Sequence, residues 1–326
     1  MKKTILYTLI LLNLAHASID KSADPIEKVK KILYDKGISK TRVEEIFLSK
    51  QACQVETKAV SIISNIKNIK KHRKAEKKAN NKLLLKSTLI KRHLKKYKKI
   101  YDKVEKDFNI NREIIAAILQ KETALGSFTT YKHNALSVYI SLLKGLEPEK
   151  EKGRAKVRLE RFLKFAHDNL VALISFYELK GNDVLKADLR SSYAGAMGIP
   201  QFSPMHFDMI KSPTAKQTYD LHDMPTAIYS TANLLKNRFE WKHKLQYHRI
   251  KHLDAIIKRW RAFDKGKENF VYEKNLDGIL VPTFVNSCKY DKDVKYVASY
   301  VKVLKRYNFS TAYALGILQI AKASRD

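Results

Sequence analysis

Apolar residues recur at helical spacing along most of the chain, with polar and charged residues between them. Residues 90–108 give the most regular run, which steps by four and three and predicts a single helix ending at Asn109. A shorter amphipathic run begins at Pro25 and is closed by Gly37. The same reasoning predicts further helices around Val43, from Phe162 to Tyr177 (as one helix or two), from Asp223 to Leu235, from Val294 to Leu304, and after Ser310.

This pattern indicates a mainly α fold, α+β at most. Glycine and proline are few, ten and seven in 326 residues, which favours long helices over a turn-rich sandwich. Some short strands are expected in the less regular stretch 240–290, for example over residues 278–285. The predicted divisions are an export signal at 1–17, a helical N-terminal segment at 18–60, a lysine-rich linker or helix at 61–89, and the main domain at 90–326.

The first residues are typical of an export signal. Two lysines precede an apolar run over residues 4–14, and Ala15-His16-Ala17 supplies a small-x-small cleavage site before Ser18. The alternative is an uncleaved membrane tether. No cysteine follows the cleavage site to accept lipid. We therefore expect an exported protein of the periplasm or cell envelope, without a lipid anchor.

The charge balance predicts an anionic partner. The chain carries 64 Lys+Arg against 33 Asp+Glu, a formal charge of +31. An exported protein meets anionic membrane and cell-wall polymer, and either would attract it electrostatically. The alternative is that the lysines only solvate the helices. The dense basic run over residues 67–82 has no interleaved aromatics for base stacking, so no specific nucleic acid is expected.

Cys53 and Cys288 are far apart in the sequence, and whether they pair is left open. Neither has a histidine or cysteine at ligand spacing, so no metal site and no cofactor is predicted. The oligomeric state is also left open.

The main catalytic candidate is Glu122. On a helix with about 100° per residue it falls inside an apolar arc, between Ile118 and Ile115. Burial raises the pKa of a carboxyl group, which lets it hold and donate a proton near neutral pH. Asn111 is a candidate N-cap and Gly126 a candidate C′ residue, which would place Glu122 in the last turn. The alternative is a structural acid in a buried ion pair.

A second informative stretch, residues 191–207, interrupts the helical pattern in mid-domain. Gly195, Ala196 and Gly198 would let the backbone come close to another group. Ser192 and Gln201 offer hydrogen-bonding groups suited to amides and hydroxyls. Such a loop suits a sugar, although a tight turn between helices would also explain the glycines.

Taken together these stretches resemble the lytic murein transglycosylases, most closely the B type. The resemblance covers most of the chain after residue 17 and rests on four segments in order: Glu122-Thr123, SYAGAMG at 192–198, PQFSP at 200–204, and RYNFSTAYA at 306–314. It implies a lysozyme-like helical catalytic domain that cleaves the β-1,4 bond between N-acetylmuramic acid and N-acetylglucosamine in peptidoglycan glycan strands. The stretch 240–290 matches the family poorly and is treated as a small irregular insertion.

The resemblance also implies residue roles. Glu122 would be the single general acid and base, and a 1,6-anhydro ring would form on the muramic acid. Ser192 would orient the acetamido group and Gln201 would line the glycan groove. Asn308 would position Glu122 or the sugar, and Tyr307 and Tyr313 would be groove aromatics.

The chain departs from the family pattern at two places. Ala124-Leu125 replaces the Arg and aromatic that commonly follow Glu-Thr, which puts one groove contact in doubt. The stretch from Lys211 to Tyr219 replaces the family's acidic calcium loop, so no bound calcium is expected.

Two alternatives remain from the sequence. A goose-type lysozyme would use the same acid with water in place of the muramyl 6-hydroxyl, and a second carboxylate facing Glu122 would favour it. A non-catalytic basic protein that binds cell wall or another polyanion is the other alternative, and the presence of Glu122 argues against it.

Overall fold

The fold is seen in a computed structural model that describes residues 24–65, 80–128, 131–214, 219–264, 270–274, 280–284 and 289–325. The predicted export signal, most of the basic run 67–82, and Cys288 lie outside these residues. Cys53 is exposed. Among the helices described, none combines the length and apolar character needed to cross a membrane.

Helices account for most of the described residues, which confirms the mainly α prediction. They are α1 (Pro25–Asp35), α2 (Lys40–Leu48), α3 (Lys50–Cys53), α4 (Thr57–Ser64), α5 (Ser87–Lys96), α6 (Lys98–Phe108), α7 (Arg112–Thr123), α8 (Ala135–Gly145), α9 (Gly153–Glu178), α10 (Met224–Asn233), α11 (Leu253–Asp264), α12 (Asp291–Tyr307) and α13 (Thr311–Arg325). Short 3₁₀ turns occupy Pro148–Lys150, Pro204–Met209 and Tyr247–Ile250, and a π-helical turn at Leu234–Arg238 follows α10.

Two small antiparallel pairs make up the described strands. β1 (His133–Asn134) pairs with β2 (Arg190–Ser191), so the segment before α8 is held beside the start of the loop 191–207. β3 (Phe270–Lys274) pairs with β4 (Leu280–Phe284) in the stretch 240–290, which confirms the short strands expected there. Trp241 in the same stretch is buried.

Helix α7 lies at the centre of the core. Every residue from Ile114 to Leu119 is fully buried, so the helix is surrounded on all sides rather than on one face. Its neighbours are α5, α6, α10 and α13. A central, enclosed helix gives the residues at its end a fixed position.

The predicted helix over residues 90–108 is two helices, α5 and α6, which meet at Tyr97. The single-helix prediction is therefore wrong. No glycine or proline causes the break. Both halves contact α7, but α5 also packs on α13 whereas α6 packs on α10, so tertiary packing sets the change of direction. Asn109 ends α6 in the left-handed region, at the predicted position.

The N-terminal helices belong to the body of the protein. α1 packs on α8 and α9, and α4 packs on α8. Arg42 on α2 makes a bidentate ion pair with Glu178 at the end of α9, with both bonds at 2.9 Å. Because the pair is half-buried and geometrically favourable, it fixes this segment on α9.

Candidate active site

Glu122 lies in the last turn of α7, as predicted, and its side chain is half-buried. The helix ends one residue later than Glu122, and Ala124, Leu125 and Gly126 then all adopt positive φ, at 51°, 58° and 80°. Two non-glycine residues in the left-handed region cost roughly 1–2 kcal/mol each. The sequence predicted only Gly126 in such a conformation.

The strained turn is held by Thr123. Its hydroxyl donates to the carbonyl oxygen of Ile199 at 2.9 Å and accepts from the amide of Gly126 at 3.2 Å. Thr123 is buried, so both bonds are protected from water. The end of α7 and the loop 191–207 are thereby fixed to each other beside Glu122.

Asn111 stands at the N-cap position of α7, but its side chain makes no capping bond. Its amide group instead pairs with the backbone of Leu245 in both directions, at 2.6 and 3.1 Å. The predicted N-cap position is therefore confirmed, but the side chain ties the helix to the stretch 240–290 instead of capping it.

Two tyrosines from the C-terminal helices lie against the Glu122 carboxyl. The Tyr313 hydroxyl on α13 donates to Glu122 Oε1 at 2.5 Å. The ring of Tyr307, at the end of α12, stacks on the Tyr313 ring with an interplanar angle of 8°. The Tyr307 hydroxyl donates to the carbonyl of Pro200. Burial first, and then the charge of Glu122, hold the pKa of Tyr307 well above its usual range.

A third tyrosine, Tyr131, was not predicted. Its hydroxyl donates to the carbonyl of Gly198 at 3.2 Å. Burial, followed by the negative charge of Glu122, raises the pKa of Tyr131 to about 12, while Arg190 and a hydrogen bond with Gln201 act in the opposite direction. Tyr131 therefore remains a neutral phenol at neutral pH.

The glycines of the loop 191–207 approach the protein interior. A side-chain carbon at Gly195 would lie 2.3 Å from the ring of Tyr139, and one at Gly198 would lie 2.2 Å from Cβ of Leu221. Both glycines also have positive φ. The expected close approach is confirmed, and the groups approached are the side chains of Tyr139 and Leu221.

The polar residues of this loop have different surroundings. Ser192 Oγ accepts from the amide of Ala196 at 3.2 Å and so closes a turn within the loop 191–207. Gln201 has a left-handed backbone (φ 54°), and its side-chain amide donates to the Gly198 carbonyl at 2.9 Å. Gln201 and Tyr131 thus meet at the same carbonyl, within reach of the electrostatic influence of Glu122.

Asn308 is exposed, and its side-chain oxygen accepts from the amide of Ser310 at 3.2 Å. Ser310 in turn caps α13 through the amide of Tyr313 at 3.2 Å. In the structure Asn308 therefore supports the N-terminal cap of α13, whereas the resemblance implied a contact with Glu122 or the sugar. Through the cap, Asn308 influences the start of the helix that carries Tyr313.

Two further residues lie behind Tyr313. The Lys121 ammonium lies 5.1 Å from the centre of the Tyr313 ring and donates to Asn80 Oδ1 at 2.5 Å. Asn80 is buried and donates to the carbonyl of Ala312 at 2.9 Å. The sequence offered one signal for this contact: Gly316 lies inside a helix, where glycine often marks a close approach. A Cβ there would lie 2.5 Å from the Asn80 amide nitrogen.

The acidic residues before α10 do not fit a calcium site. Asp223 Oδ2 accepts from the backbone amide and the hydroxyl of Thr226, at 2.9 and 2.7 Å, and so caps α10. Asp220 Oδ1 accepts from the amide of His222 at 2.7 Å. No group of three or more His, Cys, Asp or Glu within the described ranges is arranged to hold a metal ion.

The fold and the site together define a helical, lysozyme-like enzyme whose candidate catalytic group is the Glu122 carboxyl at the end of a buried helix. Residues 21–322 match the model of the transglycosylase SLT domain family. The chain therefore belongs to this family of lytic transglycosylases, as the motifs indicated. A search of curated protein sequences finds no match.

Solved structures share the fold at low sequence identity. The lytic transglycosylase SLT35 of Escherichia coli, in complex with bulgecin A, is 17% identical with a TM-score of 0.57 over 93% of each chain. The same enzyme in complex with calcium gives 17% and 0.58, again over 93% of each chain. SltB3 of Pseudomonas aeruginosa, in complex with NAG-anhNAM-pentapeptide, gives 18% and 0.54 over 91% of this chain and 77% of SltB3.

Proposed function

We propose that this enzyme cleaves the β-1,4 bond between N-acetylmuramic acid and N-acetylglucosamine in peptidoglycan, with Glu122 as its single general acid and base. The observation that carries the assignment is the hydrogen bond from Tyr313 to Glu122 at the end of the buried helix. It holds one oxygen of a half-buried carboxyl group in a fixed direction. A general acid must be positioned in this way before it can transfer a proton efficiently.

In the first step Glu122 donates its proton to the glycosidic oxygen, and the bond from that oxygen to the anomeric carbon of N-acetylmuramic acid breaks. The 2-acetamido group of the same sugar stabilises the positive charge at the anomeric carbon, so no second carboxylate is needed. The N-acetylglucosamine end leaves with the transferred proton.

In the second step the Glu122 carboxylate removes the proton of the muramyl 6-hydroxyl. The freed oxygen attacks the anomeric carbon and closes a 1,6-anhydro ring. Glu122 has regained its proton and no water is consumed. The complex of SltB3 with NAG-anhNAM-pentapeptide supports this product class, because it contains an anhydro sugar.

The residues around Glu122 receive proposed roles that follow their surroundings. Gln201 lines the groove beside Tyr131, and Ser192 orients the acetamido group from the start of the same loop. The Tyr307 hydroxyl donates to the carbonyl of Pro200, so it is not available to a sugar. The ring of Tyr307 instead stacks on Tyr313 and holds that residue in place. Tyr313 positions the acid, and Asn308 supports it through the cap of α13.

The setting of the enzyme is also a proposal. The N-terminal sequence supports export to the periplasm or cell envelope, where peptidoglycan lies. The charge of +31 supports retention on anionic wall or membrane. Binding to purified sacculi should then weaken between about 20 and 300 mM salt, because screening shortens the range of the attraction. Binding that does not change with salt would contradict electrostatic retention.

The function is tested by mass spectrometry of muropeptides released from purified sacculi. Residues 18–326 should release products one water lighter than reducing muropeptides, and Glu122→Gln should release none. Glu113→Gln is the matched control, since Glu113 is buried on the same helix but at its other end, where it accepts from Tyr247 at 3.2 Å. This variant should remain active.

The competing reaction on the same scaffold is hydrolysis. Reducing ends of full mass would establish a lysozyme-like hydrolase instead. Tyr313 donates to Glu122, and Tyr307 and Tyr131, whose pKa values are raised, lie within its electrostatic influence. A phenol with a raised pKa does not activate water as a carboxylate would. Release by neither protein would favour a binding protein without catalysis.

A further inference from the structure

We propose that Lys121, held in place by Asn80, is a positioning residue that strengthens the hydrogen bond from Tyr313 to Glu122 and so favours the ionised form of the catalytic carboxyl. This inference rests on the proposed role of Glu122. The described contacts of Lys121 and Asn80 act on the acid through Tyr313 or through the electric field, so both are positioning residues rather than catalytic ones.

The Lys121 cation lies against the ring of Tyr313. The Lys121 ammonium is half-buried and lies 5.1 Å from the centre of the Tyr313 ring, within the range of a cation–π contact. The hydroxyl of that ring donates to Glu122 Oε1 at 2.5 Å. A positive charge at the ring withdraws electron density from the phenol and makes its hydroxyl a stronger donor, and the same charge attracts the Glu122 carboxylate directly.

Asn80 holds the Lys121 cation in this position. A lysine side chain is flexible, and an exposed one would spend little time over one ring. Lys121 instead donates to the side-chain oxygen of Asn80 at 2.5 Å, and Asn80 is 6% exposed. The other half of the Asn80 amide donates to the carbonyl of Ala312, the residue before Tyr313. Gly316, one turn later on α13, leaves the space in which the amide lies.

Asn80, Lys121 and Tyr313 thus form a connected set of contacts on one side of the α7–α13 interface. Asn80 binds the backbone of the helix that carries Tyr313 and the cation that faces the Tyr313 ring. Movement of Lys121 away from the ring would break a bond to a buried amide, which is costly unless another partner replaces it. The arrangement is therefore suited to holding a cation in one position.

Several other groups face Glu122 or lie on the elements around it. Tyr307 from α12 and Tyr131 from the segment before β1 both feel its charge and remain neutral at ordinary pH, because their pKa values are raised. Further titratable groups on these elements have partners of their own: His93 with Tyr101, Tyr229 with Asp107, Arg112 with Asp102 and Glu105, Glu113 with Tyr247, and Arg306 with Glu240.

The test compares the pH dependence of kcat/KM on purified sacculi or soluble glycan strands for the wild-type chain and Lys121→Met. A general acid must be protonated, so kcat/KM falls above the pKa of Glu122. Loss of the cation should move this high-pH limb upward by about 0.5–1 pH unit, given a charge acting over roughly 5–10 Å in a partly solvated site. Lys121→Arg should restore the wild-type limb, because a guanidinium group also binds an aromatic face.

Lys96→Met is the matched control. Lys96 also lies 5.1 Å from a tyrosine ring, that of Tyr97, but on the surface of another helix. It should leave the limb unchanged. Asn80→Ser should shift the limb in the same direction as Lys121→Met. A thermal melt of each variant at neutral pH separates loss of fold from a shifted profile.

The outcomes distinguish this inference from the function on which it rests. A limb that stays in place in Lys121→Met while Glu122→Gln is inactive would overturn the role of Lys121 alone. A raised KM with an unchanged pH profile would also overturn it, because Lys121 would then bind substrate. Activity retained by Glu122→Gln would overturn the proposed function itself.

A titration without substrate gives an independent readout. Side-chain ¹³C NMR of glutamate-labelled protein, with Glu122→Gln to assign the signal, should show a higher pKa for Glu122 in Lys121→Met than in the wild-type chain. Equal values would overturn the inference whether or not the enzyme is active on the glycan offered.

Discussion

Replacing Tyr313 by Phe isolates the contact that holds the candidate acid. The substitution removes one hydroxyl and leaves the ring, so the stacking of residue 313 on Tyr307 is kept. Residue 313 is 2% exposed, and the phenylalanine ring fills nearly the same volume. The change therefore acts on Glu122 far more than on the fold.

The magnitude follows from the type of bond. A hydrogen bond to an ionised group contributes about 1.5–3 kcal/mol, and one pKa unit corresponds to about 1.4 kcal/mol. Because Glu122 is half-buried, water can replace part of the lost bond, and the lower end of this range applies. The bond favours the charged form, so its removal should raise the pKa of Glu122 by about one unit.

The assay is the release of anhydro-muropeptides across pH, with kcat and KM determined separately. In Tyr313→Phe the fall in kcat/KM at high pH should begin about one unit higher than in the wild-type chain. At the optimum, kcat should fall by about tenfold, since the carboxyl group loses its fixed direction and becomes a weaker acid. KM should change little, because the lost hydroxyl faces the acid.

A matched substitution serves as the control. Tyr229→Phe removes another buried phenol. Tyr229 on α10 donates to Asp107 on α6. The substitution should leave the pH profile in place. A Tyr313→Phe profile that coincides with the wild type would refute the reasoning, because the bond would then contribute equally to both protonation states of Glu122.

Three further predictions concern the surrounding structure. Gly316→Ala should destabilise the fold by about 1 kcal/mol net, since crowding of the Asn80 amide at 2.5 Å outweighs the helix preference of alanine; chemical denaturation measures this. The contribution of His93 to the unfolding free energy should fall by up to about 3 kcal/mol between pH 6.5 and 4, because burial lowers the pKa of His93 to about 4 while the unfolded chain takes up the proton earlier. Calcium or a chelator should leave the thermal midpoint unchanged, because the sequence 211–219 contains no Asp or Glu and the described residues hold no group of three or more His, Cys, Asp or Glu arranged for a metal ion.

Each of these has a control. For Gly316→Ala it is the double variant with Asn80→Ala, which should lose less stability than the sum of the two single changes, and additivity would contradict the proposed crowding. For His93 it is His93→Gln, which should reduce the loss of stability between pH 6.5 and 4 but not abolish it, since burial also lowers the pKa of His206 to about 4. Exposed His248→Gln should leave the loss unchanged. A rise of several degrees in the midpoint with millimolar calcium would contradict the third prediction.

The parts of the fold that sequence predicts best are those set by local pattern. The apolar spacing from Val294 to Leu304 and the Asp223 cap before Pro225 each correspond to an observed helix. The break at Tyr97 could not be predicted in this way, because nothing in the local sequence requires it and the reason lies in two different packing partners.

In the candidate site, too, the residues that the sequence identifies are those marked by a local pattern. Glu122 was identifiable because a charged residue on an apolar arc contradicts the local pattern, and such contradictions are typical of functional positions. Tyr131, Asn80 and Lys121 contradict no local pattern. Their importance comes from contacts between distant segments, such as the 41 residues that separate Asn80 from Lys121. The resemblance to a family supplied Tyr313, although not its bond to Glu122.

The phenols around Glu122 are physically suited to a carboxyl group that both gives and takes a proton. Burial and the charge of Glu122 raise the pKa of Tyr131 to about 12 and hold the pKa of Tyr307 well above its usual range, so both stay neutral whether Glu122 is charged or not. A neutral donor such as Tyr313 stabilises the carboxylate that exists between the two proton transfers without competing for the proton. A second carboxylate in this position would instead repel that intermediate charge and raise the pKa of Glu122. The surroundings of Glu122 therefore favour one residue that cycles between acid and base.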